Sequence, residues 1–168
     1  MKKRNSYIIL ASIIVLGIII DIVTKIIFAN VLAGGDIVII PGLLRFTYVE
    51  NTGAAFGMMG DKTWLLIIIS IVFIVAFVVF DIFNHSTSSW YVWGMGLIIS
   101  GAIGNFVDRI FLGYVRDFIS IKFFSFVFNI ADMLITFGII FFGIYLIVST
   151  VKEAKEKKGN NTNEASDK

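Results

Sequence analysis

The chain has 168 residues, of which 58% are hydrophobic and 15% are charged. A soluble domain carries roughly 25% charged residues, so this composition argues against a soluble globular protein and indicates a chain that lies in a lipid bilayer. The net charge of +2 is small and the basic residues gather at the two ends, which argues against nucleic-acid binding. The absence of cysteine excludes disulfides, thiolate metal sites and a cysteine nucleophile.

Four apolar stretches are long enough to cross the hydrocarbon core, which takes about 20 residues of helix. They cover 7–28, 64–83, 90–111 and 130–148. The first stretch follows Lys2, Lys3 and Arg4, as the apolar part of a secretory signal peptide would. Its length, its own Asp21 and Lys25, and the three stretches that follow favour a permanent membrane span.

The basic residues at both ends predict the orientation of the chain. Four spans place both termini on one side, and cytoplasmic segments of membrane proteins are rich in Lys and Arg, so both termini are expected in the cytoplasm. The segments 30–62 and 112–129 then lie outside. We expect a single membrane-embedded domain over 1–151 and a polar cytoplasmic tail over 152–168, disordered beyond its first turns because it lacks apolar residues.

The outer segments have the residue pattern of short β-strands. Ile37–Ile40 is a β-branched run that ends at Pro41-Gly42, a turn signal. Apolar and polar side chains then largely alternate from Leu44 to Val49, which is the period of a half-buried strand. Val115–Ile121 is similar, though less regular. The sequence therefore predicts a four-helix polytopic membrane protein with a small extracytoplasmic β-cradle.

Most polar side chains of the spans are predicted to lie at one depth. The first and third spans run outward and the fourth runs inward, and each has its polar residues toward its outer end. These residues are Asp21 and Lys25 in the first span, Asn105, Asp108 and Arg109 in the third, and Asp132 in the fourth, with Asn51 and Asp117 in the adjoining outer segments. Charges in a membrane are costly and are usually paired or functional.

Helical spacing offers a structural explanation for several of these residues. Asp21 and Lys25 are four residues apart and can form an ion pair, and Asp108 beside Arg109 is most simply structural as well. Gly101 and Gly104 are three residues apart, a spacing of small residues that lets a second helix approach closely. These three pairs of residues therefore predict packing and charge balance close to the polar layer.

The inner end of the bundle carries fewer polar residues. Asp81 is interpreted as a boundary residue that reaches toward the headgroups, and His85 as a loop histidine without a role. The aromatic residues Trp90, Tyr91 and Trp93 are interpreted as an interfacial belt. None of these residues is predicted to take part in chemistry.

Two acids remain without a cation of their own. Asp132 has no basic residue within a helical turn, and Asp117 has only Arg116, which on a strand points to the opposite face. Two carboxylates held close together share one proton, so that one can accept a proton from water while the other donates to the carbonyl oxygen of a peptide bond. This chemistry, that of aspartic peptidases, needs no metal or cofactor.

The residues alone leave three other interpretations open. A transporter or channel subunit would use Asp108, Asp117 and Asp132 as an ion path, although the inner halves of the spans are almost wholly apolar. A Ser-Lys peptidase would use Lys25 with a partner such as Ser100. A membrane scaffold would have no chemistry at all.

Five motifs occur in chain order. They are Asp21-Ile22-Val23-Thr24-Lys25, Asn51-Thr52-Gly53-Ala54-Ala55-Phe56, Gly101-Ala102-Ile103-Gly104-Asn105-Phe106-Val107-Asp108-Arg109, Val115-Arg116-Asp117-Phe118 and Phe128-Asn129-Ile130-Ala131-Asp132. Each motif alone is weak, but five in order are very specific, and together they closely resemble bacterial lipoprotein signal peptidase, also called signal peptidase II. The resemblance extends from the first span to the fourth.

The resemblance implies an intramembrane aspartic endopeptidase whose catalytic pair is Asp117 and Asp132. It implies that further motif residues line or support the site and that others stabilise the fold beside it. The first group is Asn51, Gly53, Asn105, Asp108, Arg109, Asn129 and Ala131, and the second is Asp21, Lys25, Gly101 and Gly104.

The resemblance also implies the substrate and the location. The substrate would be a prolipoprotein with a diacylglyceryl-modified cysteine, cleaved just before that cysteine to release the signal peptide. The enzyme would lie in the bacterial cell membrane among membrane lipids, with its active site near the outer face and the β-segments over the substrate. A monomer without metal or cofactor is expected.

Overall fold

A computed structural model describes residues 2–53 and 63–166, and four of its helices are long and apolar enough to cross a membrane. The helices are α1 (Lys3–Val31), α2 (Thr63–Asn84), α3 (Ser89–Leu112) and α4 (Ile130–Ser166), with a 3₁₀ turn at Leu32–Gly34 after α1. Each predicted span lies within one of these helices. Together with the small sheet described below, they confirm the predicted polytopic α-helical fold.

The tail differs from its prediction. Helix α4 continues to Ser166, so the segment from 152 to 166 is helical where the sequence predicted disorder. The segment 152–158 is composed entirely of Lys, Glu and Ala, and these residues have high helix propensity even without a core to pack against. A helix that already spans a membrane also needs no new nucleus to extend.

The outer segments form one antiparallel sheet. Its strands are β1 (Ile37–Ile40), β2 (Leu44–Asn51), β3 (Val115–Ile121) and β4 (Val127–Phe128), in the order β1-β2-β3-β4. Strand β4 was not predicted, because two residues are too few to show a period. The ring of Phe28, near the end of α1, stacks on Phe118 of β3 at 4.3 Å and lies 4.5 Å from Phe46 of β2. These aromatic contacts attach the sheet to the helical bundle.

Helix α3 is the most buried helix and packs against the other three. The apolar core lies between its inner half and α1, where Leu10 and Ile13 contact Met95 and Ile99. Glycine brings α4 close on another side, since a Cβ at Gly94 would lie 2.7 Å from the backbone nitrogen of Phe142. Helix α2 is held less firmly, and Asp81 is its one buried residue within the described part.

Asp81, His85 and Tyr91 form a buried polar cluster at the inner end, which corrects their interpretation as boundary, loop and belt residues. Asp81 accepts hydrogen bonds from the Tyr91 hydroxyl at 2.9 Å and from His85 Nδ1 at 2.8 Å. His85 Nε2 lies 2.8 Å from Ser6 Oγ, and the His85 ring stacks on Tyr7. The cluster therefore joins the inner ends of three helices, and only the two tryptophans of the predicted belt remain exposed.

Candidate active site

The first turn of α4 places Asp132. Asn129 caps the helix, since its side-chain Oδ1 accepts the backbone N–H of Asp132 at 3.1 Å. In return, Asp132 Oδ2 accepts the backbone N–H of Asn129, also at 3.1 Å. This is a reciprocal capping box with aspartate in the place usually held by glutamate or glutamine. The carboxyl group of Asp132 is thus fixed by the start of its own helix.

A second helix completes this cap. Asp21 of α1 accepts the backbone N–H of Ala131 at 2.8 Å, which satisfies another free donor of the first turn of α4. The close approach depends on glycine in α3. A Cβ at Gly104 would collide with the Asp21 carboxylate, and one at Gly101 would collide with the carbonyl oxygen of Ala131. The predicted close packing at these two glycines is therefore confirmed.

Asp117 lies on β3 and is almost fully buried. Its Oδ2 accepts the Asn51 amide at 2.8 Å and its Oδ1 accepts the Asn129 amide at 2.5 Å. Burial raises the pKa of Asp117 to about 6, and the negative charge of Asp132 acts in the same direction, against the two amide hydrogen bonds. The shift therefore places a proton on Asp117 at mildly acidic pH.

The end of β2 is shaped to present Asn51. The backbone N–H of Gly53 donates to Asn51 Oδ1 at 2.8 Å, which leaves the amide nitrogen of Asn51 to donate to Asp117. Gly53 has a φ of +86°, a left-handed conformation that favours glycine, and a Cβ there would collide with Leu66 of α2. The remainder of this motif, 54–56, lies outside the described residues.

Asn105 connects the two aspartates to the buried charges of the bundle. Its amide nitrogen donates to Asp132 Oδ1 at 2.8 Å, and its oxygen accepts from Lys25 Nζ at 2.9 Å and from Asn129 at 3.2 Å. Lys25 in turn pairs with Asp21 at 2.8 Å, and both side chains are fully buried. The predicted ion pair is therefore confirmed, and it extends as a hydrogen-bonded chain to both Asp132 and Asn129.

Asp108 and Arg109 face different surroundings, which corrects the view that they form one local charge pair. Asp108 is buried against Arg116, with Nη2 to Oδ1 at 2.6 Å, and lies 3.6 Å from Lys25. Arg109 instead lines the cavity that contains Asp117 and Asp132, and its Nε has no hydrogen-bond partner within the described part of the chain. The two residues thus serve different sides of α3.

The two aspartates open into one cavity of about 720 Å³. Asn51, Gly53 and Arg109 also line it. A second, smaller cavity of about 290 Å³ includes Asn105, Arg109 and Asp132 and continues along apolar side chains of α2, α3 and α4. The sequence-predicted site residues are therefore brought together at the end of the bundle that carries the sheet, beside an apolar groove.

The site can hold a peptide bond between two carboxyl groups that are themselves fixed by amides. Each aspartate has hydrogen bonds to both oxygens, so neither is free to turn away. Across 2–53 and 63–166, no three metal-ligating side chains come together as a metal site. Sequence reasoning missed that Asn129 caps α4 and that Arg116 binds Asp108. The spacing Asn-x-x-Asp before an apolar run was the available signal for the first.

The fold and the site together define a multi-pass membrane protein with a carboxylate pair in a cavity at one end of its helices. Residues 13–148 match the family model of signal peptidase (SPase) II. The lipoprotein signal peptidase of Enterococcus faecalis is 40% identical over 80% of this chain and 83% of its own length. That of Lactococcus lactis is 38% identical over 92% of this chain and its full length.

Two bacterial membrane enzyme structures determined by the in meso method are similar to this chain over most of its length. One matches with a TM-score of 0.76 and 36% identity over 84% of this chain and 88% of the other. The second matches with a TM-score of 0.75 and 35% identity over 82% of this chain and 91% of the other. The chain therefore belongs to the signal peptidase II family. It is a membrane peptidase of the family that processes the signal peptides of prolipoproteins.

Proposed function

We propose that this chain is an aspartic endopeptidase in which Asp117 and Asp132 activate a water molecule against the peptide bond. The observation that supports this most strongly is their placement in one cavity, with Asn129 donating to Asp117 and exchanging two hydrogen bonds with Asp132. In such a pair, one carboxyl group is ionised and the other holds the shared proton.

The surroundings favour Asp117 as the protonated member. Its pKa is raised to about 6, first by burial and then by the charge of Asp132. Asp132 lies in the first turn of α4, where the helix dipole stabilises a carboxylate, and accepts two N–H donors. Asp132 then takes a proton from the attacking water while Asp117 donates its proton to the carbonyl oxygen of the substrate. Arg109 lines the cavity beside both aspartates, so its guanidinium group can donate to a substrate carbonyl group.

The substrate proposed is a prolipoprotein whose cysteine carries diacylglycerol, cleaved just before that cysteine. The cavity beside the aspartates joins polar groups to an apolar groove that includes Phe73, Phe77 and Ile139. Such a groove fits an apolar signal-peptide segment or an acyl chain, with the peptide bond at the polar end. The basic termini support a cytoplasmic location for both ends, which places this site near the outer face of the bacterial membrane.

The other interpretations have less support. Ser100 donates to the carbonyl oxygen of Leu97, while Lys25 is bound to Asp21 and Asn105, so the Ser-Lys dyad is not formed. An ion path is disfavoured because the apolar core around Met95 separates the outer polar site from the inner Asp81 cluster.

The experiment is to purify the full chain and the variants Asp117→Asn and Asp132→Asn in detergent or vesicles and to measure cleavage of a diacylglyceryl-modified precursor. Each variant should lose at least about 100-fold in kcat, since general acid–base groups contribute about 10²–10⁴. Asp36→Asn is the matched control, because Asp36 is a half-exposed outer-segment acid paired with Arg45. Wild-type activity in either site variant would overturn the mechanism, and equal cleavage of an unlipidated precursor would overturn the proposed substrate class.

A further inference from the structure

Arg116, immediately before Asp117, makes the most complete ion pair in the described structure. Its Nη2 donates to Asp108 Oδ1 at 2.6 Å and its Nε donates to Asp108 Oδ2 at 3.2 Å. Its own backbone N–H also donates to Asp108 Oδ2, at 2.9 Å. Three hydrogen bonds thus join one residue of β3 to one carboxylate of α3. Such bidentate pairs restrict geometry more than a single contact does.

Because the Arg116–Asp108 ion pair is shielded from water, its two side chains are held in one geometry. The side chain of Asp108 is fully buried and that of Arg116 is only 14% exposed. The hydrogen bonds to Asp108 also raise the pKa of Arg116 beyond its usual value. An exposed Arg of the same sheet provides the contrast, since Arg45 is 57% exposed and lies 3.7 Å from Asp36. An exposed ion pair of this kind contributes little to the stability of the fold.

The contact lies where the chain changes direction between α3 and β3. Helix α3 ends at Leu112. The next residue, Gly113, turns the backbone with its φ of +84°, and β3 begins at Val115. Asp108 holds the first residues of β3 from the helix side, while β2 holds them from the sheet side through the pairing of Glu50 with Arg116. Asp117 is the next residue along β3. A displaced start of β3 would therefore move the Asp117 carboxyl group relative to Asn51 and Asn129.

We propose that Arg116 is a positioning residue for the reaction. Its bidentate hydrogen bonds to Asp108 fix the start of β3, and hence the position of Asp117. The proposal rests on the proposed aspartic mechanism. It assigns a role to a position that lies between motif residues and does not itself enter the cavity. Arg116 acts through Asp117 and does not touch the substrate.

Arg116 also balances charge beside the site. Asp108, Asp21 and Tyr48 are the charged or titratable groups that act on Arg116, and Lys25 is the second cation close to Asp108. Asp132 and Lys25 act on Asp117 itself. Removal of Arg116 leaves the negative charge of Asp108 less balanced, and uncompensated negative charge disfavours ionisation of nearby carboxyl groups. The pKa of Asp117 should then rise above about 6.

The experiment compares Arg116→Ala, Arg116→Lys and Arg45→Ala in the full chain, using kcat, KM and the pH dependence of kcat/KM on a lipidated precursor. Arg116→Ala should lower kcat by roughly 10–100-fold with KM little changed, because small misplacements of reacting groups have effects of this size. Its pH midpoint should move upward. Arg116→Lys keeps the positive charge but loses the bidentate hydrogen bonds. It should therefore keep the wild-type pH midpoint of kcat/KM and have an intermediate kcat. Arg45→Ala should match the wild type.

Two results would overturn the proposal. One is a folded Arg116→Ala variant with wild-type kcat and midpoint. The other is an Arg116→Lys variant with wild-type kcat, since the bidentate hydrogen bonds to Asp108 would then be dispensable. This second result is decisive even if the alanine variant does not fold. Failure of the aspartic mechanism is seen separately, as full activity of Asp117→Asn. An inactive Asp117→Asn with a fully active Arg116→Lys therefore removes only the inference about Arg116.

Discussion

Asn129 and Asp132 are hydrogen-bonded to each other twice, each side chain accepting the backbone N–H of the other residue at 3.1 Å. The same asparagine donates its amide to Asp117 at 2.5 Å. One residue therefore both caps a membrane helix and contacts each of the two carboxyl groups. Catalytic geometry and helix capping are joined at this point, and two substitutions at Asn129 can separate them.

Replacement of Asn129 by alanine should lower stability by about 1 kcal/mol more than replacement by serine, and both variants should lose activity. Serine caps a helix about as well as asparagine, and loss of the cap costs about 1 kcal/mol, but serine has no amide to donate to Asp117. Thermal unfolding and cleavage rates measured side by side check this. Equal stability losses in both variants, or full activity of Asn129→Ser, would contradict it.

The pH dependence of cleavage should reveal the proton that Asp117 and Asp132 share. Burial raises the pKa of Asp117 to about 6, so Asp117 holds its proton below this pH and loses it above this pH. Activity that needs the singly protonated pair is then present below about pH 6 and falls as pH rises through that value, which kcat/KM reports for the free enzyme. A kcat/KM that instead rises through pH 6 would show that ionised Asp117 is the active form.

Gly104→Ala should destabilise the chain by about 1–3 kcal/mol, as overpacking typically does. The new Cβ would collide with the Asp21 carboxylate, which caps α4 through Ala131 and pairs with Lys25. Gly143→Ala is the matched control, because apart from the chain neighbours and backbone of its own helix, no atom of the described residues lies within 4 Å of a Cβ at Gly143. Thermal unfolding should separate the two variants, and equal midpoints would show that the contact at Gly104 is unimportant.

The inner cluster should contribute stability without affecting chemistry. His85→Ala removes the partner that Asp81 and Ser6 share, and an acid left buried without its partner costs about 3–5 kcal/mol at most. Asn84→Ala is the control, since the hydrogen bond that Asn84 makes among the described residues is to the carbonyl oxygen of Phe80 in its own helix. His85→Ala should lower the unfolding temperature and leave the pH midpoint of cleavage at its wild-type value. A changed midpoint would imply coupling between the two ends.

The sequence predicted the elements that have strong periodicity or length. All four spans and three strands follow from apolar runs, and the shared depth of Asp21, Asn105 and Asp132 follows from the direction of each helix. The two unpaired acids, Asp117 and Asp132, could be selected by asking which charges lacked a nearby cation. Residue patterns were sufficient to select these two acids because polar and charged residues are rare and costly in membrane proteins, so each one stands out in the sequence.

Contacts between distant residues could not be predicted in the same way. Asp108 binds Arg116 eight residues away instead of its neighbour Arg109, and this choice depends on the chain reversal at Gly113. The association of Asp81 with Tyr91 likewise depends on how α2 meets α3. Such pairings are set by tertiary packing, which periodicity along one element does not contain.

The most direct test of the central claim is a double-mutant comparison at the two aspartates. Groups that act as one unit are strongly non-additive, so the kcat of Asp117→Asn/Asp132→Asn should be no lower than that of the weaker single variant. The rates are measured on the lipidated precursor with variants shown to be folded. An effect in the double variant equal to the product of two independent losses, or full activity in either single variant, would contradict the shared-proton mechanism.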